Sequence, residues 1–463
     1  MILQRLPKRA VLSISRRRFL ALSGALALGA GGLAAWRYWP EQGFVNPCRA
    51  ALPEELARHE LVRAAWDGID PGKMWDGHRH LAGTGDSGSG DSGTGESGSG
   101  IYLNPAMLGM LDPLQYAQRL FFMNAGCVRD APGQVDRSYV ERMRNMLGDM
   151  RPGAKLLLLA FDASVTEAGE VSWEQTSIHI PNSYAARTAQ RHAQYFEWAA
   201  SVHPYRRDCI EQLEAAAGQG ARALKWLPAA MGIDPASKLC DPFYAALARL
   251  DLPLITHAGR ERALRGTDAQ DLGNPLRLRR ALDHGVRVVV AHCASMGQDH
   301  DTDRGANGPA IASFELFARL MQEPRYVGRL YGDISAMTQT ARAGAPLAHV
   351  LEREDWHARL LNGSDYPLPG VFPLYSVDYM VERGYVEKNA APLFKRLREH
   401  NPLLFDFVLK RSLRAGGRRL AAGIFETRGF FERSGSSKQA QTAVASRQAG
   451  EGDMLNSQRR IHD

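Results

Sequence analysis

Short apolar runs recur along this chain, and amphipathic stretches fill the intervals between them. Runs at 74–79, 155–161, 196–202, 221–227, 252–257, 286–292, 327–334 and 358–364 have the length of strands and are too short for helices. Between them, segments such as 206–217 (RRDCIEQLEAAA), 241–250 (DPFYAALARL) and 275–284 (PLRLRRALDH) repeat apolar positions at three and four, the spacing of one helix face. Strand and helix therefore alternate, as in βαβ units around a parallel sheet. Eight such strands predict an α/β fold, a (β/α)8 TIM barrel over residues 74–415, in which functional side chains sit at the C-terminal ends of the strands.

Other segments break the alternation. Residues 83–100 read GTGDSGSGDSGTGESGSG, a five-residue repeat with no apolar side chain to bury, which predicts a flexible loop. Such a polar tract is read as a repeat expanded in a tolerant loop rather than as a lid over a site. Residues 41–73 form an N-terminal extension and 416–463 a C-terminal one, the latter rich in Ser, Gln, Ala and Gly and expected to be disordered from about 434.

Charge changes the picture at the N-terminus. The 463 residues carry 57 Lys and Arg against 50 Asp and Glu, a surplus that would suit an anionic partner. Residues 1–40, however, hold seven bases and no acid, so the rest of the chain carries 50 of each. A neutral body offers no general excess for phosphates, and no nucleic-acid partner is expected. The leader reads Ser15-Arg16-Arg17-Arg18-Phe19-Leu20 and continues without a charge to Trp36. It resembles a twin-arginine export signal, S-R-R-x-F-L, which implies handling by the twin-arginine translocation machinery and a periplasmic body. No clean A-x-A cleavage site follows, and Trp36, Tyr38 and Trp39 suit an interfacial belt. The leader is thus either cut away or retained as a membrane anchor. The five Cys include no C-x-x-C, and an odd count predicts mostly buried thiols with no disulfide framework.

The polar residues that end the strands carry the candidate chemistry. The first strand ends Trp75-Asp76-Gly77-His78-Arg79-His80, and two His at i and i+2 on a strand face one side, where both imidazoles can meet one metal ion. Alone, H-x-H is a weak signal. Later strands repeat the device: Leu254-Ile255-Thr256-His257, Val288-Val289-Val290-Ala291-His292, and Leu360-Leu361-Asn362-Gly363-Ser364-Asp365. Buried strands seldom end in His or Asp for packing reasons, so the order His-x-His, His, His, Asp points to a metal site.

These motifs identify the chain as resembling the amidohydrolase superfamily, in particular its amidohydrolase-related branch of TIM-barrel hydrolases and decarboxylases. The resemblance rests on WDGHRH (75–80), ALKWLP (223–228), LPLITHAG (252–259), VRVVVAHCAS (286–295) and LLNGSDYPLPG (360–370), and covers about residues 74–410. It implies that His78, His80 and His257 ligate a divalent metal, that Asp365 is a further ligand and proton acceptor, and that His292 is a ligand or a catalytic group. Lys225 stands where binuclear relatives place a carboxylated Lys between two ions. Uncarboxylated, it would offer a substrate anion a point charge. In the binuclear arrangement His78, His80 and Asp365 hold one ion and His257 and His292 the other; in the mononuclear one, the favoured reading, His257 joins the first set. Zinc is the default ion for such donors, with manganese and iron as alternatives. For substrate contacts, His203 ends the third strand and either lines the mouth or satisfies a turn, and Arg260 either clamps a carboxylate or belongs to a solvated charge run. The expected activity is hydrolysis of an amide, cyclic amide, ester or lactone by metal-activated water, acting on a small molecule. The alternatives are metal-dependent non-oxidative decarboxylation on the same scaffold and a non-catalytic periplasmic metal or ligand binder.

Overall fold

The computed structural model describes residues 45–86, 98–109, 112–128, 133–264, 269–305 and 307–432. The leader, the centre of the Gly/Ser repeat and the tail from 433 lie outside these residues. Eight strands appear where the apolar runs predict them: β1 Trp75–His80, β2 Lys155–Leu159, β3 Phe196–Ala199, β4 Leu224–Trp226, β5 Leu254–His257, β6 Val288–Ala291, β7 Leu330–Asp333 and β8 Leu360–Leu361. Most are shorter than the runs that announce them, because the chain leaves the ladder as it turns into each loop.

All pairings among these strands are parallel. β1, β2 and β3 form one ladder, and β4 to β8 another in consecutive order. A bridge between Ala200 and Leu224 joins β3 to β4, and one between Arg79 and Tyr366 joins β1 to the residues after β8, so the ring closes. Closure is tight at this last seam: the Gly77 amide donates to the Asn362 carbonyl at 3.0 Å and the Asp365 amide to the His78 carbonyl at 2.8 Å. A Cβ on Gly363 would sit 2.5 Å from the His78 Cβ, so only glycine lets β8 approach the C-terminal end of β1. A register shift in β1 between Asp76 and Arg79 turns the end of the strand as a bulge does.

Alternation along the strands decides what fills the barrel. Trp75, Leu157, Leu159, Ala199, Ala223, Ile255, Val289 and Leu361 form an inner cluster, each worth about 1.5–3 kcal/mol on burial where the side chain is large. Phe431, from the terminal helical turn Arg428–Phe431, joins that cluster and plugs the base. Helices surround the barrel: α1 Pro113–Gly126, α2 Val135–Gly148, α3 Asn182–Arg191, α4 Cys209–Gly218, α5 Asp241–Arg249, α6 Arg279–Asp283, α7 Ser313–Gln322, α8 Ala345–Glu352, α9 Ala391–His400 and α10 Pro402–Ser412. The described flanks of the Gly/Ser repeat are pinned to the start of α2: the amides of Gln134, Val135 and Asp136 donate to Asp86, and the Ser99 hydroxyl donates to Asp136 at 2.6 Å.

The cysteine expectation is corrected. Cys48 and Cys127, 79 residues apart, form a disulfide that ties the N-terminal extension to the C-terminal end of α1. Cys209, Cys240 and Cys293 are free. The pairing has no local sequence signature, since it depends on where α1 ends in three dimensions.

Candidate metal centre

Four barrel strands and the turn after β8 deliver their polar ends to one point. Around the Asp365 carboxylate, His80 Nε2 lies at 3.1 Å, His78 Nε2 at 3.6 Å and His292 Nε2 at 3.6 Å. The His78 ring is 5.1 Å from that of His292, which is 5.4 Å from that of His257. Lys225 Nζ, from β4, lies 2.9 Å from His78 Nε2. The structure therefore brings together His78, His80, Lys225, His292 and Asp365, with His257 beside them. Two of these groups, His292 and Asp365, have left-handed backbones at φ of 55° and 57°, a strain that marks sites held for function.

The far side of each imidazole is held too. His78 Nδ1 lies 2.8 Å from Asp333 Oδ2, and His292 Nδ1 lies 2.9 Å from the Ser335 carbonyl. Each pairing places the proton on Nδ1 and leaves an Nε2 lone pair facing Asp365, the usual backing of a metal-binding imidazole. Asp333 ends β7 and was not among the sequence candidates. Its other oxygen accepts from the His292 amide at 2.9 Å and the Ser335 amide at 3.0 Å, so both oxygens are engaged and it acts as a support. The run at 327–334 carries this Asp at its end like the other strands, and the same strand-end rule would have found it.

Electrostatics favour the ligand form of His80, His257, His292 and Asp365. Burial pushes His257 down to about 4, lowers His80, and takes His292 well below its ordinary value, with Arg342 adding to the effect at His257 and His292. Burial would raise Asp365, but His292, His78 and His80 hold it well below the carboxylate range. Burial likewise opposes ionisation of Asp333, and His78, His292 and Ser335 overcome it. Burial brings Lys225 down to about 8 against the pull of Asp333, Asp365 and Glu261. Neutral imidazoles and an ionised carboxylate are what a divalent cation requires. His257 Nε2 is buried with no partner, an orphaned donor atom consistent with a missing ligand. His78, His80 and Asp365 bring ligand atoms close enough together to hold a divalent ion, as do His78, His292 and Asp333.

The remaining candidates separate. His203 is wholly buried at the end of β3; its Nε2 lies 3.0 Å from the Met231 carbonyl and its Nδ1 accepts from the Tyr205 amide at 3.2 Å, so its ring is spent on backbone. Arg260 is exposed, outside the imidazole cluster, while its neighbour Glu261 is buried with Oε2 3.6 Å from His257 Nδ1. The arginine that does approach is Arg342, after β7: it is buried, donates to Ser295 Oγ at 3.3 Å, and has an unpartnered Nε. No strand-end rule could find it, because it comes from a loop.

A family model described as amidohydrolase matches residues 75–402. No curated protein matches the chain. Similar solved structures include an uncharacterized TIM-barrel protein of Bordetella bronchiseptica, at 16% identity over 70% of this chain and 98% of that one, TM-score 0.42. A putative 2-pyrone-4,6-dicarboxylic acid hydrolase of Pseudomonas putida shares 16% identity over 72% and 97%, TM-score 0.36. A 2,6-dihydroxybenzoate decarboxylase from Rhizobium shares 13% over 72% and 97%, TM-score 0.34.

Proposed function

The chain belongs to the amidohydrolase family, and from that premise we propose that it is a hydrolase that uses one divalent ion, zinc by its donor set, to cleave an amide, cyclic amide, ester or lactone of a small molecule. The observation that carries this reading is the convergence of three imidazole Nε2 atoms on the Asp365 carboxylate, with that carboxylate held ionised. His78, His80 and Asp365 would hold the ion, with His257, whose Nε2 has no partner, as the further ligand. When bound, such an ion supplies Lewis acidity that polarises a carbonyl and acidifies water toward neutral pH.

The chain's own groups do the rest. Asp365 accepts the proton of the attacking water and returns it to the leaving group. Lys225 offers Nζ as the donor to the developing oxyanion, since His292 spends its proton on the Ser335 carbonyl. Asp333 keeps His78 in the tautomer that presents Nε2. The Arg342 guanidinium offers a charge-assisted contact to an anionic substituent.

The test is metal analysis of the purified chain followed by product analysis on lactones, cyclic amides and aromatic acids. About one ion per chain with water incorporated into product supports the hydrolase. Carbon dioxide release without water consumption replaces it by the decarboxylase, two ions per chain revise the role of Lys225, and bound metal with no turnover leaves a binder.

We further propose that the body works in the periplasm, exported by the twin-arginine route and anchored by a retained leader. The Cys48–Cys127 disulfide supports an oxidising compartment. Arg16→Lys with Arg17→Lys should leave the chain in the cytoplasm on cell fractionation; unchanged export would reject this route.

A further inference from the structure

Most of the exposed large apolar side chains of the described residues belong to segments that touch one another. Nine large hydrophobics are exposed among the described residues, and six of them are Val45, Leu108, Leu114, Leu120, Val171 and Trp173. Their segments touch one another. The Trp173 ring meets Tyr102 edge-on at 4.9 Å, and Asn104 Nδ2 donates to the Glu174 carbonyl at 3.1 Å. The helical turn Pro105–Met107, just before Leu108, packs on α1. At the other end of α1, the Asn46 amide donates to Asn124 Oδ1 at 2.8 Å, beside the Cys48–Cys127 disulfide.

Along α1, Leu114, Ala117, Leu120 and Phe121 follow at the spacing of one face, the two leucines exposed and the others half-buried. A contiguous apolar strip of this kind marks a contact surface. The strip adjoins the catalytic mouth: α1 packs against residues 368–370, which follow Asp365, and Gln118 Nε2 donates to the Arg262 carbonyl at 3.1 Å, in the loop that follows His257.

What covers the strip is indicated by where the chain enters the body. Eleven residues lie between Trp36, the end of the uncharged leader, and Cys48, a span of at most about 40 Å. Cys48 is covalently fixed to the end of α1. A leader held in a bilayer therefore keeps this helix within about 40 Å of the same bilayer. The rim chemistry agrees: Trp173 and Tyr102 have the amphipathic rings of a headgroup belt, and Arg260 and Arg262 are exposed for anionic phospholipid.

We propose that the C-terminal face of the barrel docks on the membrane surface through α1, the turn at 105–108 and Trp173, so that the active-site mouth opens at the lipid–water interface. The proposal rests on the retained leader proposed above. It also places the entrance where amphiphilic substrates concentrate.

The test uses the full chain in vesicles of phosphatidylethanolamine and phosphatidylglycerol. Single cysteines at Leu114, Leu120 and Trp173, with Val327 ahead of β7 as the control, carry a nitroxide spin label. Lipid immersion raises collision of the first three labels with oxygen several-fold over collision with a water-soluble nickel chelate, and reverses that ratio at 327. Labels equally open to both reagents overturn the proposal. Labels shielded from both indicate a second copy of the chain on this face and also overturn it. Intact mass of the membrane-purified chain separates the two levels: a missing leader overturns the anchoring and the docking together, whereas a retained leader with open labels overturns the docking alone.

Discussion

At the base of the barrel, Phe431 sits among Trp75, Ala223 and Leu361, and the Thr427 hydroxyl donates to the Trp75 carbonyl. At the mouth, the same strands end in His80, His257, His292 and Asp365, and His257 Nε2 and Arg342 Nε are buried without partners. Each such orphan costs about 1–3 kcal/mol, a cost that stability alone would remove. The base is finished for packing and the mouth is left open to a ligand. Stability and function are thereby separated along one axis of a single core, as TIM barrels separate them in general.

The strongest way to break this comparison is to remove the mouth's ligands. His78→Ala with His80→Ala should abolish bound divalent metal and lower turnover by at least about 10³-fold, or about 4 kcal/mol of transition-state stabilisation, while the melting temperature of the metal-free protein stays within a few degrees. A melting temperature that collapses with the metal would mean the mouth is structural. Phe431→Ala tests the other end. It should cost about 3–5 kcal/mol in denaturant unfolding, leaving kcat/KM per folded molecule unchanged. A selective loss of activity there would couple the two ends.

His203 sharpens the distinction within the mouth itself, because its ring is satisfied by backbone. Burial pushes its pKa down to about 4, with Arg206 acting in the same direction and the Met231 carbonyl against it. The native state therefore keeps this imidazole neutral, while the unfolded chain takes up a proton below about 6.5. Stability is full above about pH 6.5 and is lost as pH falls toward 4, on the order of 3 kcal/mol for this group. Urea unfolding of chelator-treated protein across that window should show the slope, and His203→Gln should flatten it. The smallest effect is expected at Asp333: Asp333→Asn should weaken metal affinity about 10–100-fold in chelator competition, because His78 loses its support but remains in place. No change in affinity would remove Asp333 from the site.

How much of the site was legible follows from where each residue sits. His78, His80, His257, His292 and Asp365 end apolar runs or the turns that follow them, and a barrel sends such ends to one face, so the pattern and the geometry agree. Asp333 obeyed the same rule and went unread beside the more conspicuous histidines. Arg342 was illegible, since a residue in a loop is aimed by contacts with distant segments such as Ser295. By position His203 either lines the mouth or satisfies a turn, and the Met231 carbonyl and the Tyr205 amide decide for the second. The disulfide was illegible for the same reason as Arg342: Cys48 and Cys127 meet because α1 ends beside the N-terminal extension.

By itself, the order of residues determined the alternation of strand and helix, the barrel, and the placing of ionisable groups at strand ends, because these depend on local periodicity and on which side of a strand each side chain takes. Tertiary structure alone decided which of those groups converge on Asp365, which are backed by Asp333 and Ser335, and that α1 packs against residues 368–370 with Leu114 and Leu120 exposed. Those outcomes depend on contacts between segments tens to hundreds of residues apart, and periodicity carries no record of them.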